Sequence, residues 1–474
     1  MKKWSGYRHE ICQESFDAII IGSGMSGLTA AVLLSQYGQR VLVLEKHFKA
    51  GGFTHTFTRK KYEWDVGIHY IGEVHKTKSH IRKLFDRITD GNLQWAKMDD
   101  NYDRIIFPDQ SYDFVAPKEK LIDILIGHFP EEKKAINDYI SLLESYVKSG
   151  RGYFASKALP KWLTPFLYRS MTKPFFEYAD RMTKDVLREF TQNEKLLGVL
   201  TGQWGDHGSP PGRSSFAMHA MVARHYLDGG NYPVGGSRMI AEYATDEIEK
   251  HGGKVVVNAG VDEILTKGKK AVGVRLENGD ELFASKVISS AGLMNTVNTF
   301  LRHQSSGEMF KEKMKTVRPT ESYLCLYMGL NKTAKELGFK NTNLWIYPGY
   351  DHDQNVEKFR TNPNGEFPVV YVSFPSAKDP EWDKNHPGCA TMEAITLGPW
   401  DQFKAWKDEP WQGRGESYEA LKDSLSKKIL DVVYKHVPQA EGAMDYYELS
   451  TPLSVRTMAN YPIGEMYGLD HTPE

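Results

Sequence analysis

Three glycines in the run Gly22-Ser23-Gly24-Met25-Ser26-Gly27 have the spacing of a turn that holds a pyrophosphate. The first glycine permits the tight turn, the second lets a phosphate approach the backbone, and the third lets a helix pack closely on a strand. Glu45 follows where a carboxylate can accept hydrogen bonds from ribose hydroxyls and would repel a 2′-phosphate. The pattern predicts a site for FAD or NAD rather than NADP. The alternative is a tight turn that holds no ligand.

The segments around these glycines have the pattern of a β-turn-α-β unit. Residues 16–21 and 40–44 are short apolar runs typical of buried strands, and residues 28–37 have helical character that ends at Gly38. The phosphates would lie at the N-terminus of this helix, where unpaired N–H groups and the helix dipole favour negative charge. A strand before the glycines and a helix after them make the motif specific.

A second pair of glycines follows the acidic residue. Lys46 comes directly after Glu45, and Gly51-Gly52 precedes Phe53 a few positions later. A plain NAD dehydrogenase has no need of this pair, so it favours FAD.

Five later stretches carry further motifs. Residues 64–72 read Trp-Asp-Val-Gly-Ile-His-Tyr-Ile-Gly, and a glycine pair at 252–253 leads through an apolar strand to Val261. Another apolar strand ends in the Ser-Ser-Ala-Gly of 289–292. Near the C-terminus, residues 450–454 read Ser-Thr-Pro-Leu-Ser and residues 462–468 read Pro-Ile-Gly-Glu-Met-Tyr-Gly.

These motifs together resemble those of the FAD enzymes of the phytoene desaturase, carotene isomerase and all-trans-retinol 13,14-reductase superfamily, over residues 16–470. The resemblance implies an α/β fold, in which a Rossmann-like FAD-binding domain of the glutathione-reductase and amine-oxidase type is joined to a discontinuous mixed α+β substrate domain. The residues that the motifs assign to FAD are Gly22, Ser23, Gly24, Met25, Ser26, Gly27, Glu45, Lys46, Gly51, Gly52, Phe53, Val261, Ala291 and Gly292.

The domains are expected to be discontinuous. Residues 16–100 and 230–295 are expected to form the FAD-binding domain, and residues 101–229 and 296–450 the substrate domain. Residues 451–474 are expected to return to the FAD domain in truncated form. The elements predicted by periodicity are helices at 131–149, 184–201 and 417–436, a strand pair at 254–258 and 271–276, and strands at 323–329 and 369–373, with a hairpin turn at Asn278-Gly279-Asp280.

One departure from the group concerns the C-terminus. Members of the group continue into a Gly-rich segment that closes the FAD domain over the flavin and pyrophosphate, whereas this sequence stops at Glu474. The resemblance therefore implies either a shortened chain or impaired flavin binding.

Composition excludes several other classes of function. The formal net charge of −1 offers no basic face for nucleic acid. The three cysteines form no CxxC pair, and no metal-ligand spacing occurs, so neither a disulfide scaffold nor a metal site is expected. Residues 1–15 lack the apolar core of a secretory signal, and no run of about eighteen apolar residues occurs, so we expect a cytoplasmic protein.

Residues 151–181 mix aromatic and basic side chains. The aromatic side chains are Tyr153, Phe154, Trp162, Phe166, Tyr168, Phe175, Phe176 and Tyr178, and the basic ones between them include Lys157, Lys161, Arg169 and Lys173. Three prolines are expected to break the segment into short pieces. Such a mixture suits the membrane–water interface, which predicts peripheral membrane contact. Packing of the same aromatic rings in a helical core is the alternative.

Four residues are candidates for catalysis. His69 and Tyr70 lie in the motif that the resemblance places beneath the flavin, and His219 and His225 precede a Gly-rich stretch and are candidates for lining a substrate tunnel. Each histidine has the alternative of a hydrogen-bonded packing role.

The implied activity is redox chemistry on C–C or C=C bonds of a long apolar polyene or isoprenoid, as a saturase, desaturase or isomerase. A saturase needs a proton donor opposite the flavin, which a His or Tyr can be. No second dinucleotide motif in a βαβ context occurs, so if the enzyme is a reductase its electrons are expected from transiently bound NAD(P)H or from another donor. Two alternatives stay open, an amine-oxidase-like flavoenzyme and a non-enzymatic lipid or prenyl carrier of the GDP-dissociation-inhibitor type. The sequence leaves the oligomeric state open.

Overall fold

The computed structural model describes residues 3–473. Its strands are β1 (Ser5–Gly6), β2 (Phe16–Ile21), β3 (Val41–Leu44), β4 (Thr56–Arg59), β5 (Tyr62–Asp65), β6 (Ile71–Gly72), β7 (Trp95–Lys97), β8 (Asn101–Ile106), β9 (Ser111–Val115), β10 (Gly230–Pro233), β11 (Lys254–Val257), β12 (Val261–Lys267), β13 (Lys270–Leu276), β14 (Glu281–Ser289), β15 (Tyr323–Leu330), β16 (Asn343–Ile346), β17 (Val370–Ser373), β18 (Ala390–Leu397) and β19 (Met444–Ser450). Its helices are α1 (Met25–Gln36), α2 (His80–Ile88), α3 (Lys118–His128), α4 (Lys133–Lys157), α5 (Thr164–Ala179), α6 (Thr183–Leu187), α7 (Glu194–Leu200), α8 (Phe216–Tyr226), α9 (Arg238–Lys250), α10 (Leu293–Asn295), α11 (Ser305–Lys313), α12 (His352–Thr361), α13 (Pro375–Lys378), α14 (Trp382–Asn385), α15 (Gly415–His436) and α16 (Pro452–Ala459).

The first sheet contains the glycine-rich turn. Its strand order is β1-β11-β3-β2-β14-β13-β12, and β2 lies between β3 and β14 with both pairings parallel. Strands β2 and β3 are almost wholly apolar and buried because α1 and α9 cover one face of the sheet and apolar side chains of β12, β13 and β14 pack against the other. Ile21 pairs with Leu44 on one side and with Ser289 on the other. The carboxyl ends of the three strands therefore meet at the glycine turn, where α/β sheets bind ligands.

The second sheet has the strand order β19-β15-β18-β17-β16-β8-β9. In its register Tyr327 is opposite Glu393, Glu393 is opposite Ser373, and Asn343 is opposite Asp103. Because side chains alternate between the faces of a strand, these cross-strand partners share one face of the sheet. This register gathers polar side chains from distant parts of the sequence.

A layer of helices and a small sheet complete the fold. Helices α4, α5 and α8 pack on one another, and β10 pairs with β6 and β7. Between β5 and β6 lies the loop 66–70, which carries His69 and Tyr70.

Most predicted elements are present, but three predictions were wrong in detail. Strand β11 does not pair with the strand at 271–276; it pairs in parallel with β3 and β1, and the predicted hairpin turn joins β13 to β14. The single helix predicted at 184–201 is two helices, α6 and α7. The second helix begins at a new N-cap, where the Asn193 side chain accepts hydrogen bonds from two backbone N–H groups.

The third difference lies in the aromatic and basic segment. Helix α5 continues through Pro174, where a break was expected. The carbonyl that loses its helical partner at this proline belongs to Ser170, which is exposed, so water can hydrogen-bond it. The helix therefore tolerates this proline.

Candidate functional site

A cavity of about 590 Å³ lies at the carboxyl ends of the central strands of the first sheet. Its lining includes residues 22–26, the turn between β2 and α1. Gly24 is the N-cap of α1, and no side chain caps the helix and no acidic residue occupies its first turn. The free N–H groups and the helix dipole make this end of the cavity an anion site.

The glycines of the turn have different roles. A Cβ added to Gly24 would meet no atom within 4 Å, whereas a Cβ on Gly27 would lie 2.2 Å from the carbonyl oxygen of Gly22. A Cβ on Gly52 would lie 3.0 Å from the Cα of Gly24. Gly24 thus faces open space that a pyrophosphate can fill, while Gly27 and Gly52 permit close packing within the protein.

Glu45 connects the two glycine segments at the cavity wall. Its carboxylate accepts hydrogen bonds from the backbone N–H of Ser23 at 2.9 Å and of His47 at 2.8 Å, and from the Ser23 hydroxyl at 2.5 Å. The N–H of Gly51 donates in turn to the Ser23 hydroxyl at 3.0 Å. A fixed carboxylate beside the anion site matches the ribose-binding acid of a dinucleotide site, so the residues present fit FAD.

The structure brings the predicted cofactor residues together. All of them except Gly27 and Gly292 line the cavity, although they come from positions as distant as Gly22 and Ala291. The sequence did not predict the part of the cavity wall that comes from the second sheet and from around α16, because these residues are far from the cofactor motifs along the chain. The lining residues that were missed include Phe57, Arg59, Asn295, Tyr327, Trp411, Glu448, Met458 and Tyr461.

His69 lies behind the wall of the cavity that faces away from Glu45. Val66 and Ile68 line the cavity, and His69 follows with 12% of its side chain exposed. Its Nδ1 lies 2.7 Å from Oε2 of Glu393, which is fully buried in β18. Tyr327, opposite Glu393 in the sheet, lines the cavity itself. The cavity and the polar row of the second sheet therefore meet at His69.

Lys378 ties the same loop to the second sheet. Its ammonium donates to the backbone carbonyl of His69 at 2.9 Å, to the Ser373 hydroxyl at 2.7 Å and to the Asn343 side chain at 2.5 Å. Burial lowers the pKa of Lys378 to about 8, although nearby carboxylates, Glu393 first among them, act in the opposite direction.

Tyr70 joins two further acids. Its hydroxyl donates to Asp103 at 2.9 Å and lies 3.1 Å from a carboxylate oxygen of Asp206. Burial and the neighbouring Asp103 raise the pKa of Asp206 to about 8. Burial, with Glu393 nearby, raises the pKa of Asp65 to about 6. At neutral pH Asp206 therefore keeps its proton.

The other two histidine candidates have hydrogen-bonded positions away from the cavity. Nε2 of His219 lies 2.8 Å from the hydroxyl of Tyr139, and Nε2 of His225 accepts a hydrogen bond from the N–H of Gly72 at 2.7 Å. Burial lowers the pKa of each histidine to about 4. Neither lines the cavity, and a catalytic role for them stays a prediction.

The aromatic and basic segment is divided between a packed face and an exposed one. Phe175 is buried and stacks on Tyr153 with ring centroids 4.4 Å apart. Trp162 and Phe166, at the junction of α4 and α5, are 73% and 78% exposed, and Phe154 is also exposed. Core packing therefore describes one face of the segment, and the exposed apolar and basic mixture expected of a membrane contact describes the other.

One group of metal-ligand types occurs among residues 3–473, formed by His9, Cys12 and Asp280 with ligand atoms within 4.8 Å of one another. The Tyr7 hydroxyl lies within this group, 2.8 Å from Asp280 and 3.0 Å from the Cys12 sulfur, and His9 hydrogen-bonds Asp280. Hydrogen bonds thus account for the grouping. Over the same residues, every helix is too short or too polar to cross a bilayer.

Comparison with known proteins identifies the family. Residues 25–296 match the family described as flavin containing amine oxidoreductase. The chain is 35% identical to the all-trans-retinol 13,14-reductase of Danio rerio over 97% of this chain and 78% of that protein. It is 29% identical to prolycopene isomerase 2 of an Oncidium hybrid cultivar over 94% of this chain and 73% of that protein.

A solved structure agrees with the fold. An oxidoreductase from Methanosarcina mazei superposes with a TM-score of 0.63 at 14% identity, covering 92% of this chain and 88% of that one. The suspected superfamily, the fold class and the FAD cofactor are thereby confirmed. The chain belongs to the flavin-containing amine oxidoreductases and, among them, to the group of the all-trans-retinol 13,14-reductases, and it is an FAD-dependent oxidoreductase.

Proposed function

We propose that the protein saturates a carbon–carbon double bond of a long apolar polyene of the retinoid type, with FAD in the cavity described above. The observation that carries the proposal is the meeting of a dinucleotide cradle with a buried cluster of acids at His69, in which Asp206 keeps its proton at neutral pH. Reduction of a double bond needs both a hydride and a proton, and this arrangement offers a place for each. The names of the similar proteins, a retinol reductase and a carotenoid isomerase, support a polyene.

In the proposed mechanism the protein binds the cofactor, shields the reacting carbons from water and donates a proton to the substrate. Residues 22–26 bind the pyrophosphate through backbone N–H groups, and Glu45 orients the ribose. FAD held by these residues would supply hydride chemistry toward one carbon of the double bond. Apolar side chains such as Val66 and Ile68 exclude water from the reacting carbons. His69 gives the proton to the other carbon.

We propose the domain division expected above. The first sheet uses strands from 16–44 and 254–289, and the second uses strands from 101–115 and 323–450, which supports boundaries near 100, 230, 295 and 450. We also propose reduced nicotinamide as the transient external donor of electrons.

The test combines cofactor identification with a half-reaction. We expect the purified protein to show the visible absorption of a flavin and to release FAD on heating. After anaerobic reduction by NADPH, all-trans-retinol should reoxidise the flavin and lose the absorption of its full polyene. A benzylamine-type amine is the control for amine oxidation. Failure of all-trans-retinol to reoxidise the reduced flavin, or reduction of the oxidised flavin by the amine, would contradict the proposal.

A second proposal concerns the exposed tip of α4 and α5, which we define by Phe154, Trp162 and Phe166. Lys157, Lys161, Arg169 and Lys173 lie in the same segment, so apolar rings and cations occur together, as in surfaces that bind anionic bilayers. We propose that this tip contacts a membrane, from which an apolar polyene is taken.

The double variant Trp162→Ser/Phe166→Ser should bind anionic phosphatidylserine vesicles at least about tenfold more weakly than wild type in flotation, because it loses most of the insertable apolar surface. Tyr37→Ser removes an equally exposed aromatic ring from another face and serves as the control. Equal vesicle binding by the double variant and wild type would refute the membrane contact.

A further inference from the structure

The region behind His69 holds more buried acids than bases. Charged and titratable groups face it from several elements: Asp65 of β5, Asp103 of β8, Asp206, Glu393 of β18, Lys378 of α13, Asp379, and the phenols of Tyr70, Tyr232, Tyr327 and Tyr371. Only Lys378 and His69 can carry positive charge among these groups. Uncompensated buried carboxylates cost several kcal/mol each, so the cluster retains protons.

Glu393 has the ring of His69 as its ion-pair contact, and Lys378 is a further cation nearby. It is fully buried, and neither of its oxygens accepts a well-aligned hydrogen bond from any residue in the described part of the chain. The 2.7 Å contact with Nδ1 of His69 is therefore its main partner. A carboxylate with no other partner in the centre of a sheet indicates a role toward this imidazole, because such a group is otherwise destabilising.

The backbone and the ring of His69 are held from the same side. Lys378 binds its carbonyl, and Glu393 contacts its ring, so both anchors belong to the second sheet and the helix beside it. Nδ1 is buried, and the exposed 12% of the side chain leaves the opposite, Nε2 edge open. Ile68 lines the cavity directly before His69, so the loop that carries this edge borders the proposed substrate space.

We propose that Glu393 is the positioning residue of the reaction, which holds the His69 ring with Nδ1 toward the second sheet and a transferable proton on Nε2 toward the substrate. This inference rests on the proposed function. In the step, the bound cofactor would supply the hydride pair for one C–H bond, and the π electrons of the double bond take the Nε2 proton of the His69 imidazolium to form the other. His69 is left neutral with its proton on Nδ1, the reduced nicotinamide would restore the cofactor, and one proton returns to Nε2 from solvent at the exposed edge of the ring.

The neighbouring cluster fixes the backbone of His69. Asp206, whose pKa is raised to about 8 by burial and by Asp103, stays protonated at neutral pH, and the Tyr70 hydroxyl bridges it to Asp103. Lys378 extends the polar chain from Asn343, a partner of Asp103, to the backbone carbonyl of His69. The loop that carries the imidazole is therefore anchored to the buried acids, while its ring is held by Glu393.

The test is a set of isosteric variants of the FAD-loaded protein. Glu393→Gln should lower the rate of flavin reoxidation by all-trans-retinol about 100-fold, within the range for loss of general-acid catalysis, with KM and FAD content unchanged. His69→Gln should give a similar loss, and the double variant should lose no more than His69→Gln alone, because Glu393 acts through His69. Thr391→Val is the control. It removes a different buried polar group, a hydroxyl, from the same strand and should leave the rate unchanged.

A second measurement does not depend on turnover. In protein labelled with 15N-histidine and brought to a pH at which the His69 ring is neutral, the ring should show one fixed tautomer in wild type, with its proton on Nδ1 toward Glu393, and a mixture in Glu393→Gln. Additive losses in the double variant, or an unchanged tautomer, would overturn the role of Glu393. If wild type fails to act on the polyene, the proposed function fails, and the tautomer experiment still decides whether Glu393 positions His69. If Glu393→Gln does not fold, the wild-type spectrum alone tests the inference, because mixed tautomers of His69 in wild type would contradict it.

Discussion

Gly24→Ala is expected to abolish FAD retention without lowering the stability of the flavin-free protein. The backbone of Gly24 has φ −62° and ψ 171°, which alanine adopts freely, and an added Cβ meets no protein atom within 4 Å. The methyl group would instead occupy the space that the pyrophosphate needs against the helix N-terminus. We expect a loss of affinity of at least about 100-fold, equivalent to about 3 kcal/mol. Titration with FAD and the thermal midpoint of the flavin-free protein measure the two effects separately.

Gly27→Ala is the matched control, because the same methyl group has the opposite consequence three residues later. Its Cβ would lie 2.2 Å from the carbonyl oxygen of Gly22 and 3.1 Å from the Ser290 Cβ, so helix and strand must separate. Overpacking of this kind typically costs about 1–3 kcal/mol, which should lower the midpoint of the flavin-free protein. A Gly24→Ala variant that still retains FAD would show that the pyrophosphate lies elsewhere in the cavity.

The cofactor half of the site is predictable from sequence because it is local. Strand β2, the glycine turn, helix α1 and strand β3 occupy residues 16–44 in order, and each has a composition that permits one structure. The role of Glu45 follows from the same short unit, since β3 ends beside β2. The fold class follows in turn, because a parallel unit of this kind needs both faces of its sheet covered.

The chemical half of the site depends on long-range register. Glu393 lies opposite Tyr327 and Ser373 only because β18 is inserted between β15 and β17, an order that local pattern does not determine. A lone Glu inside an apolar strand was the available signal, since such a residue is buried only with a partner. Lys378 gave a weaker signal in the sequence, because it lies in a short helix among loops, where a lysine is not unusual. Composition shows which side chains are unusual, and tertiary structure shows which of them meet.

His69 is where the two halves meet. Its motif was recognisable from the sequence, but its neighbours were not, so the sequence could propose it as a proton donor without saying what fixes its ring. The loop that carries it connects β5 to β6. Val66 and Ile68 of this loop line the cavity, while His69 contacts Glu393 of the second sheet. An enzyme that must deliver hydride and proton to adjacent carbons needs such a junction between a cofactor domain and an acid cluster.

Acidification is expected to unfold the protein steeply below about pH 6. Five histidines have pKa values lowered by burial to about 4 or below, namely His55, His207, His219, His225 and His352. Between pH 6.5 and 4 these side chains take protons in the unfolded chain but not in the folded one, so folding stability falls as the pH falls. Asp65 and Asp206 act in the opposite sense, since their raised pKa values keep them protonated in the folded state.

The five histidines add protons to the unfolded chain and the two acids add protons to the folded one, so the unfolded chain binds about three more protons. The free energy of unfolding therefore falls by on the order of 4 kcal/mol for each pH unit of acidification. Typical stabilities of about 5–15 kcal/mol would be exhausted within a few pH units. Urea unfolding at a series of pH values measures this slope. His219→Gln should reduce it by about one proton, because a buried amide has no proton to gain, while the exposed His80→Gln should not. A slope that His219→Gln leaves unchanged would mean that His219 is charged in the folded protein, and a charged His219 beside Tyr139 would restore it as a candidate for proton transfer.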